Sequence, residues 1–252
     1  MRTLRLGHRG EDVAQWQRFL TARKFKLGRT DGDFGPKTQR ATIAFQTANG
    51  LPGDGAVGPA TREAAQAFGF KNVEVDDLSR EVPLPPMSQI NVGLNAAKHD
   101  TMMALFGAPG KLTKDCSEVT NPQLKRETVT ASVGPFRVTG WKPAVDGLRR
   151  IFEEIRVEMP EVIAQVHTAG MSCVRHVRQN PNRFSNHSWG TAVDLYFGGN
   201  VDDTGDGMTQ LGLLKMAPIF NKHRWYWGAE FSLEDSMHFE LSDELVRELV
   251  HP

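Results

Sequence analysis

The chain has 252 residues, more than one ordinary domain needs, and 39% of them are hydrophobic, enough for two cores. Lys+Arg and Asp+Glu balance at 30 each and the pI is ≈ 7.1, so no concentrated basic face marks a nucleic-acid partner. No apolar run reaches membrane-spanning length, so no membrane insertion is expected, and the first twenty residues, from Met1-Arg-Thr-Leu, hold no hydrophobic segment of the secretion type.

In the amino-terminal third, Asp31-Gly-Asp-Phe-Gly-Pro-Lys-Thr38 recurs as Asp54-Gly-Ala-Val-Gly-Pro-Ala-Thr61, a repeat at a spacing of 23 residues. Asp-Gly followed by Gly-Pro makes a tight turn, and proline at a first helical position has a preset φ and loses no hydrogen bond there. A helix is therefore expected after each turn. One more precedes them, with Val13, Trp16, Gln17 and Leu20 on one face; the second carries Ala41, Ala44 and Phe45, the third Ala64, Ala67 and Phe68. Residues 1–70 thus read as an all-α three-helix bundle with Trp16, Phe34 and Phe45 in its core. This portion has a basic excess and the remainder an acidic one, which suits an anionic polymer as its partner.

Residues 71–90, with Asp76-Asp77 and Pro83, Pro85 and Pro86, read as a semi-rigid linker. Residues 91–252 form the second domain. A helix is expected near Ala96–Phe106, strands around Glu127–Val133 and Phe136–Gly140, an amphipathic helix near Ala144–Val157, and a strand over Glu161–His167. The mixture argues α+β with a mainly antiparallel sheet. Two cysteines far apart, Cys116 and Cys173, do not establish a disulfide, and both are taken as reduced thiols.

The carboxy-terminal half carries the chemistry. Thr191–Phe197 reads as a buried strand ending at Gly198-Gly199-Asn200, which places Asp194 inside it; a carboxylate there needs a cation or donors. Ser185-Asn-His187-Ser-Trp-Gly190 is loop-like, with Gly190 the hinge that lets His187 fold back. Further on, His238 and Glu240 alternate with Met237, Phe239 and Leu241, the period-two pattern of a strand with one polar face. Asp235 precedes that strand and would reach a water without taking a coordination position. Two imidazoles and a carboxylate, His187, Asp194 and His238, leave a fourth position open, the pattern of a catalytic zinc site with one Zn2+ per chain. A lone histidine is more often a satisfied structural residue, and only the combination carries the reading. A glycan-cleaving mechanism would need paired carboxylates, and none can be singled out without taking Asp194 or Asp235.

The pattern S-x-H-x-x-G-x-A-x-D followed by D-x-x-H-F-E resembles the zinc peptidases of the VanY-like D-Ala-D-Ala carboxypeptidase and L-alanyl-D-glutamate endopeptidase family. The resemblance implies zinc on His187, Asp194 and His238 and Asp235 as general base; Glu234 is the fallback base if Asp235 proves dispensable, and Ser185 and Glu240 are expected to orient the ligands. It also implies an arginine on the developing oxyanion. Arg175 occupies the place of the family's Gly-Tyr-Arg-like turn, but Cys173-Val174 precedes it here, so Arg178 or Arg183 remain alternatives. Residues 4–68, with Asp-Gly-x-Phe-Gly-x-x-Thr and Phe45-Gln46, resemble the peptidoglycan-binding domain of cell-wall hydrolases. Together these imply an enzyme that acts on bacterial peptidoglycan; without an export signal it looks like a phage endolysin, and a monomer is expected. It would be made in the host cytoplasm and reach the wall when another protein perforates the membrane, or be secreted if a signal has been removed. An aspartate base and the ending His-Phe-Glu look more like the L-alanyl-D-glutamate endopeptidases. A D-Ala-D-Ala carboxypeptidase and a catalytically silent wall-binding protein are the alternatives.

Overall fold

A computed structural model describes residues 2–71 and 77–251, and the chain divides into two units, Met1–Asp77 and Leu78–Pro252. In the first unit, α1 (Glu11–Ala22), α2 (Pro36–Ala48) and α3 (Pro59–Gln66) are the helices, the last two opened by the prolines of the repeat. Trp16, Phe34 and Phe45 are buried, as the pattern predicts, and Trp16 meets Phe45 edge-on with 5.4 Å between centroids. The expected faces of α2 and α3 need correction. Ala44 and Ala67 are exposed and Phe68 lies at the surface under the Arg23 guanidinium; Thr42, Ala65 and Phe70 are buried in their place.

Each repeat loop closes around one buried glutamine. Gln17 on α1 donates its Nε2 to Asp31 Oδ1 (2.9 Å), the Asp33 carbonyl (2.9 Å) and Thr38 Oγ1 (3.0 Å), and accepts the Gly32 N–H at 2.8 Å. Gln46 on α2 repeats this with Asp54 Oδ1 (2.7 Å), the Ala56 carbonyl (2.8 Å), Thr61 Oγ1 (3.0 Å) and the Gly55 N–H (2.9 Å). The sequence repeat is thus a repeated hydrogen-bond cradle, which accounts for the recurrence of aspartate, glycine and threonine at fixed offsets.

The second unit begins inside the segment expected to be a linker. Residues 72–76 lie outside the described residues, but Leu78 is fully buried, Ile90 joins the core, and β1 (Glu81–Pro83) pairs antiparallel with β8 (Met208–Gln210). Proline at the end of a two-stranded pairing costs little, because an edge does not need its missing N–H. After β1 come α4 (His99–Phe106), α5 (Pro122–Glu127), the hairpin β2 (Thr128–Ser132) and β3 (Arg137–Trp141), and the long helix α6 (Lys142–Glu158). The strand expected over Glu161–His167 starts late: Pro160 opens the single turn α7 (Pro160–Ile163), and β4 spans Val166–Gly170. β5 (His176–Val177) and β6 (Asn180–Phe184) form a small hairpin, followed by β7 (Ala192–Phe197), β8, α8 (Leu211–Lys222), β9 (Trp225–Trp227), β10 (His238–Leu241) and α9 (Asp243–Val250).

The central sheet has the order β4-β7-β10-β9, every neighbouring pair antiparallel, so the unit is α+β. Its period-two alternation sorts side chains onto two faces. Phe239 on β10 packs at 4.2 Å between centroids against Phe220 of α8, which in turn meets Phe152 of α6. Val193, Leu195 and Phe197 on β7 are likewise core residues. The intervening residues, Asp194 on β7 with His238 and Glu240 on β10, therefore project from the opposite face.

Replacing Gln46 by Ala removes all four bonds of the second cradle and leaves the buried Gly55 N–H without an acceptor. An unsatisfied buried donor costs about 1–3 kcal/mol, so the variant should lose about that much stability in denaturant unfolding, with faster amide exchange concentrated at Gly55 and Ala56.

Candidate metal centre

His187 sits in a single 3-10 turn, Asn186–Trp189, which Gly190 ends in the left-handed region at φ 66. A side chain at Gly190 would bring its Cβ within 2.7 Å of Gly140 Cα and of the Trp141 nitrogen, where the Trp141 N–H donates to the Gly190 carbonyl at 3.0 Å. Only glycine satisfies both the conformation and the close approach. From that turn His187 reaches the sheet where the register places His238 directly opposite Asp194.

Three atoms converge there. His187 Nε2 lies 3.0 Å from Asp194 Oδ1 and 3.2 Å from His238 Nδ1, and His238 Nδ1 lies 3.1 Å from Asp194 Oδ1. The far sides of both rings fix which nitrogen is free. His187 Nδ1 donates to the Met171 carbonyl at 2.9 Å and His238 Nε2 donates to Glu240 Oε2 at 2.9 Å, so the inward nitrogens are the ones that offer lone pairs once the rings are neutral. Ligands about 2.0–2.1 Å from a tetrahedral zinc are about 3.3 Å apart, close to the spacing seen. His187, Asp194 and His238 are the one group of such side chains, among the described residues, arranged to hold a metal ion.

The surrounding charges call for a cation as well. Burial alone would raise the Asp194 pKa, but His187 and His238 hold it far below the usual carboxylate range. For His238 burial alone would lower the value; the Asp194 and Glu240 carboxylates outweigh it and push it up to about 10. Asp235 is raised, first by burial and then by Asp194, against the lowering influence of His238, His187 and Arg178, and its buried Oδ1 has no hydrogen-bond partner. A buried carboxylate oxygen without a donor is costly. The donor set, its spacing and this orphaned oxygen all fit a divalent cation.

Asp235 lies in the turn before β10, where its N–H donates to the Gly228 carbonyl at 3.0 Å and its carbonyl accepts the His238 N–H at 3.1 Å. The turn passes so near Gly228 that a Cβ there would meet the Asp235 carbonyl at 2.5 Å. The neighbouring Glu234 is engaged elsewhere: Oε1 accepts the Ser236 N–H, and Oε2 accepts those of Gly205 and Gly207. Glu240 is almost fully buried and accepts from the Ala97 N–H and Asn186 Nδ2 as well as from His238. Ser185 takes part through its backbone, its N–H donating to the Arg175 carbonyl, whereas the hydroxyl that organises this loop is that of Ser188, which accepts the Arg175 N–H and donates to the Arg175 carbonyl.

The three candidate arginines differ in their surroundings. The Arg175 guanidinium donates to the His176 carbonyl at 3.3 Å, Arg183 is exposed, and Arg178 is the arginine whose charge acts on Asp235. Cys116 and Cys173 are joined as a disulfide, contrary to the expectation of two thiols, because the bridge between Ser117 and Val174 sets their segments side by side. Sequence reasoning missed Asn186, Ser188 and the Met171 carbonyl. The first two flank His187 within its motif and were legible as polar neighbours of a ligand; a backbone carbonyl leaves no such trace.

Three convergent donors with an unpaired carboxylate near them in sequence and charge are an arrangement that could hold a metal ion. Comparison with known proteins agrees in kind. Residues 178–241, which hold all three candidate ligands and Asp235, match the family described as D-alanyl-D-alanine carboxypeptidase, and residues 9–65 match the family described as putative peptidoglycan binding domain. The chain thus carries two separate segments, one matching each family. Among solved structures it is similar to the crystal structure of Burkholderia AP3 phage endolysin, at 31% identity and a TM-score of 0.26 over 44% of this chain. The chain spans 39% of that protein's length.

With its pKa near 10, His238 holds a proton at neutral pH that a metal must displace. Zinc titrated calorimetrically at pH 7 in two buffers of different ionisation enthalpy should therefore release about one proton per chain, with apparent affinity rising as pH rises. A heat independent of the buffer would show that His238 holds no such proton before zinc binds.

Proposed function

We propose that the second unit is a zinc-dependent peptidase that hydrolyses an amide bond in the stem peptide of bacterial peptidoglycan, and that the first unit holds the chain to the wall. The observation that carries this reading is the convergence of His187 Nε2, Asp194 Oδ1 and His238 Nδ1, within a segment that matches a peptidase family, beside the unpaired Asp235. The match of residues 9–65 to a putative peptidoglycan binding domain supports the wall as partner. The two-module architecture favours a phage-lysin role, and no helix among the described residues is long and apolar enough to cross a membrane.

When bound by the three ligands, zinc supplies Lewis acidity that lowers the pKa of a water and polarises a carbonyl. The chain's own groups do the rest. Asp235 takes the proton from the attacking water and returns it to the leaving amine; its free Oδ1 is the acceptor. Arg178 stabilises the developing oxyanion, a role its influence on Asp235 favours over Arg175. Glu240 and the Met171 carbonyl keep both imidazoles in the tautomer that presents a lone pair inward.

Asp235→Asn preserves shape while removing the acceptor. Zinc content should be unchanged and turnover should fall by about 10²- to 10⁴-fold, as for loss of a general base; a loss of less than about tenfold with zinc retained would move the base elsewhere.

The bond favoured is L-alanyl-D-glutamate, because an aspartate base followed by His-Phe-Glu is similar to the endopeptidases. The matched family's description favours the second reading, removal of a terminal D-alanine. Digestion of purified walls followed by mass spectrometry separates them. New amino groups on D-glutamate, with L-alanine left on the muramyl lactyl group, are expected. Free D-alanine as main product would establish the carboxypeptidase, and undiminished hydrolysis after exhaustive chelation would remove the metal.

A further inference from the structure

The segment Met171–Val174 is the seat of His187. The Met171 carbonyl holds the ring by its Nδ1–H at 2.9 Å, and the Cys173 N–H donates to the His187 carbonyl at 3.0 Å. The seat is itself irregular backbone, outside any helix or strand. It leans on residues 113–119, between α4 and α5, which also have no regular element. Val174 and Ser117 exchange both backbone hydrogen bonds at 2.9 and 3.0 Å, and the His176 N–H donates to the Thr113 carbonyl at 2.9 Å. Across this contact of two loops runs the Cys116–Cys173 disulfide, closing a sequence separation of 57 residues. Cys116 is exposed, and with Lys125 and Ser172 it lines an open cavity of about 550 Å3 that gives a reductant access to the bond.

We propose that the Cys116–Cys173 disulfide is a positioning cross-link for His187, so that the thiol–disulfide state of the chain sets the metal affinity of the centre. The proposal rests on the metal-centre reading above. With the bond intact, the seat cannot retreat from the ring, and the Met171 carbonyl fixes both tautomer and orientation. A dithiol reductant cleaves it by attack of one thiolate on a sulfur; the S–S bond breaks, the reductant's second thiolate resolves the mixed disulfide, and two protein thiols and an oxidised reductant result. The two loops are then held by hydrogen bonds alone. Groups that orient a ligand from behind are worth about ten- to hundredfold in metal affinity, and that is the scale of the change expected here. A chain made in a reducing compartment and acting in an oxidising one would tighten its metal centre on transfer.

The test compares three preparations of the full chain: oxidised, reduced by a phosphine that is then removed anaerobically, and the Cys116→Ser, Cys173→Ser double variant, which lacks the tie without adding thiol ligands. Zinc affinity is measured by competition with a chromophoric chelator, and the visible spectrum of the cobalt form reports ligand geometry; circular dichroism at the assay temperature verifies folding. Affinity should fall about tenfold or more in the reduced chain and the double variant, with a changed cobalt spectrum. Should the double variant not fold, the reduced wild-type chain carries the comparison. Affinity within about twofold in all folded forms would overturn the cross-link's role, as would two free thiols in the unreduced chain. Failure of the oxidised chain to bind zinc would overturn the metal-centre reading and this proposal with it.

Discussion

The functional face of the second unit depends on one constraint: three groups that accept hydrogen bonds are forced together at 3.0–3.2 Å with no donor among them except a proton or a cation. Such a convergence is unfavourable in a buried place unless a positive charge sits at its centre. The high pKa of His238 and the depressed one of Asp194 are the protonated answer to the same demand that a metal ion answers better. The rest of the local structure prevents the groups from escaping. The cross-strand register holds Asp194 and His238 opposite each other, the αL glycine turns His187 inward, and the acceptors behind each ring forbid the other tautomer.

The support reaches well beyond the motif. Glu240 ties the back of His238 to the Ala97 N–H and to Asn186, and Asn186 donates in turn to the Ala97 carbonyl at 3.0 Å. The strand carrying one ligand, the turn carrying another and the chain entering α4 are thereby held by a single buried carboxylate with two oxygens and three donors. Glutamine at 240 would offer one oxygen and bring two donors of its own, so the ionised carboxylate is required by the count of partners rather than by charge alone.

What could be read in the sequence was whatever depends on local period. Alternation over Met237–Leu241 placed His238 and Glu240 on one polar face, the apolar run Thr191–Phe197 placed Asp194 inside a strand, and the Gly-Pro repeats placed the starts of α2 and α3. What escaped was set by contacts distant in sequence. The cradles around Gln17 and Gln46 join a helix to a loop several turns of chain away, so each glutamine looked like an ordinary helix-face residue. The disulfide joins segments that meet only through the Ser117–Val174 bridge. Residues 78–90 looked like a linker because prolines and charges dominate them, yet Glu81–Pro83 finds its partner in β8, more than a hundred residues on. Arg175 was favoured by its place in a motif, and its guanidinium donates one bond, to the His176 carbonyl.

Two adjacent carboxylates show how partners, not proximity, divide the labour. Glu234 and Asp235 share a turn, and by position alone either could serve as a base. Glu234 satisfies its oxygens with the backbone of Ser236, Gly205 and Gly207, stapling the loop after β7 to the turn before β10. The same junction is held by the Ser236 hydroxyl donating to Asp202, whose own pKa burial and the nearby Glu81 and Glu234 push up to about 6, although the Ser236 bond itself lowers it. A carboxylate so engaged would have to give up three donors to accept a proton. Asp235 has a buried oxygen with no donor and faces the charges of the histidine pair and Arg178. Glu234 therefore anchors the turn, and Asp235 is left as the carboxylate with an unengaged oxygen, which is what the proposed base role requires.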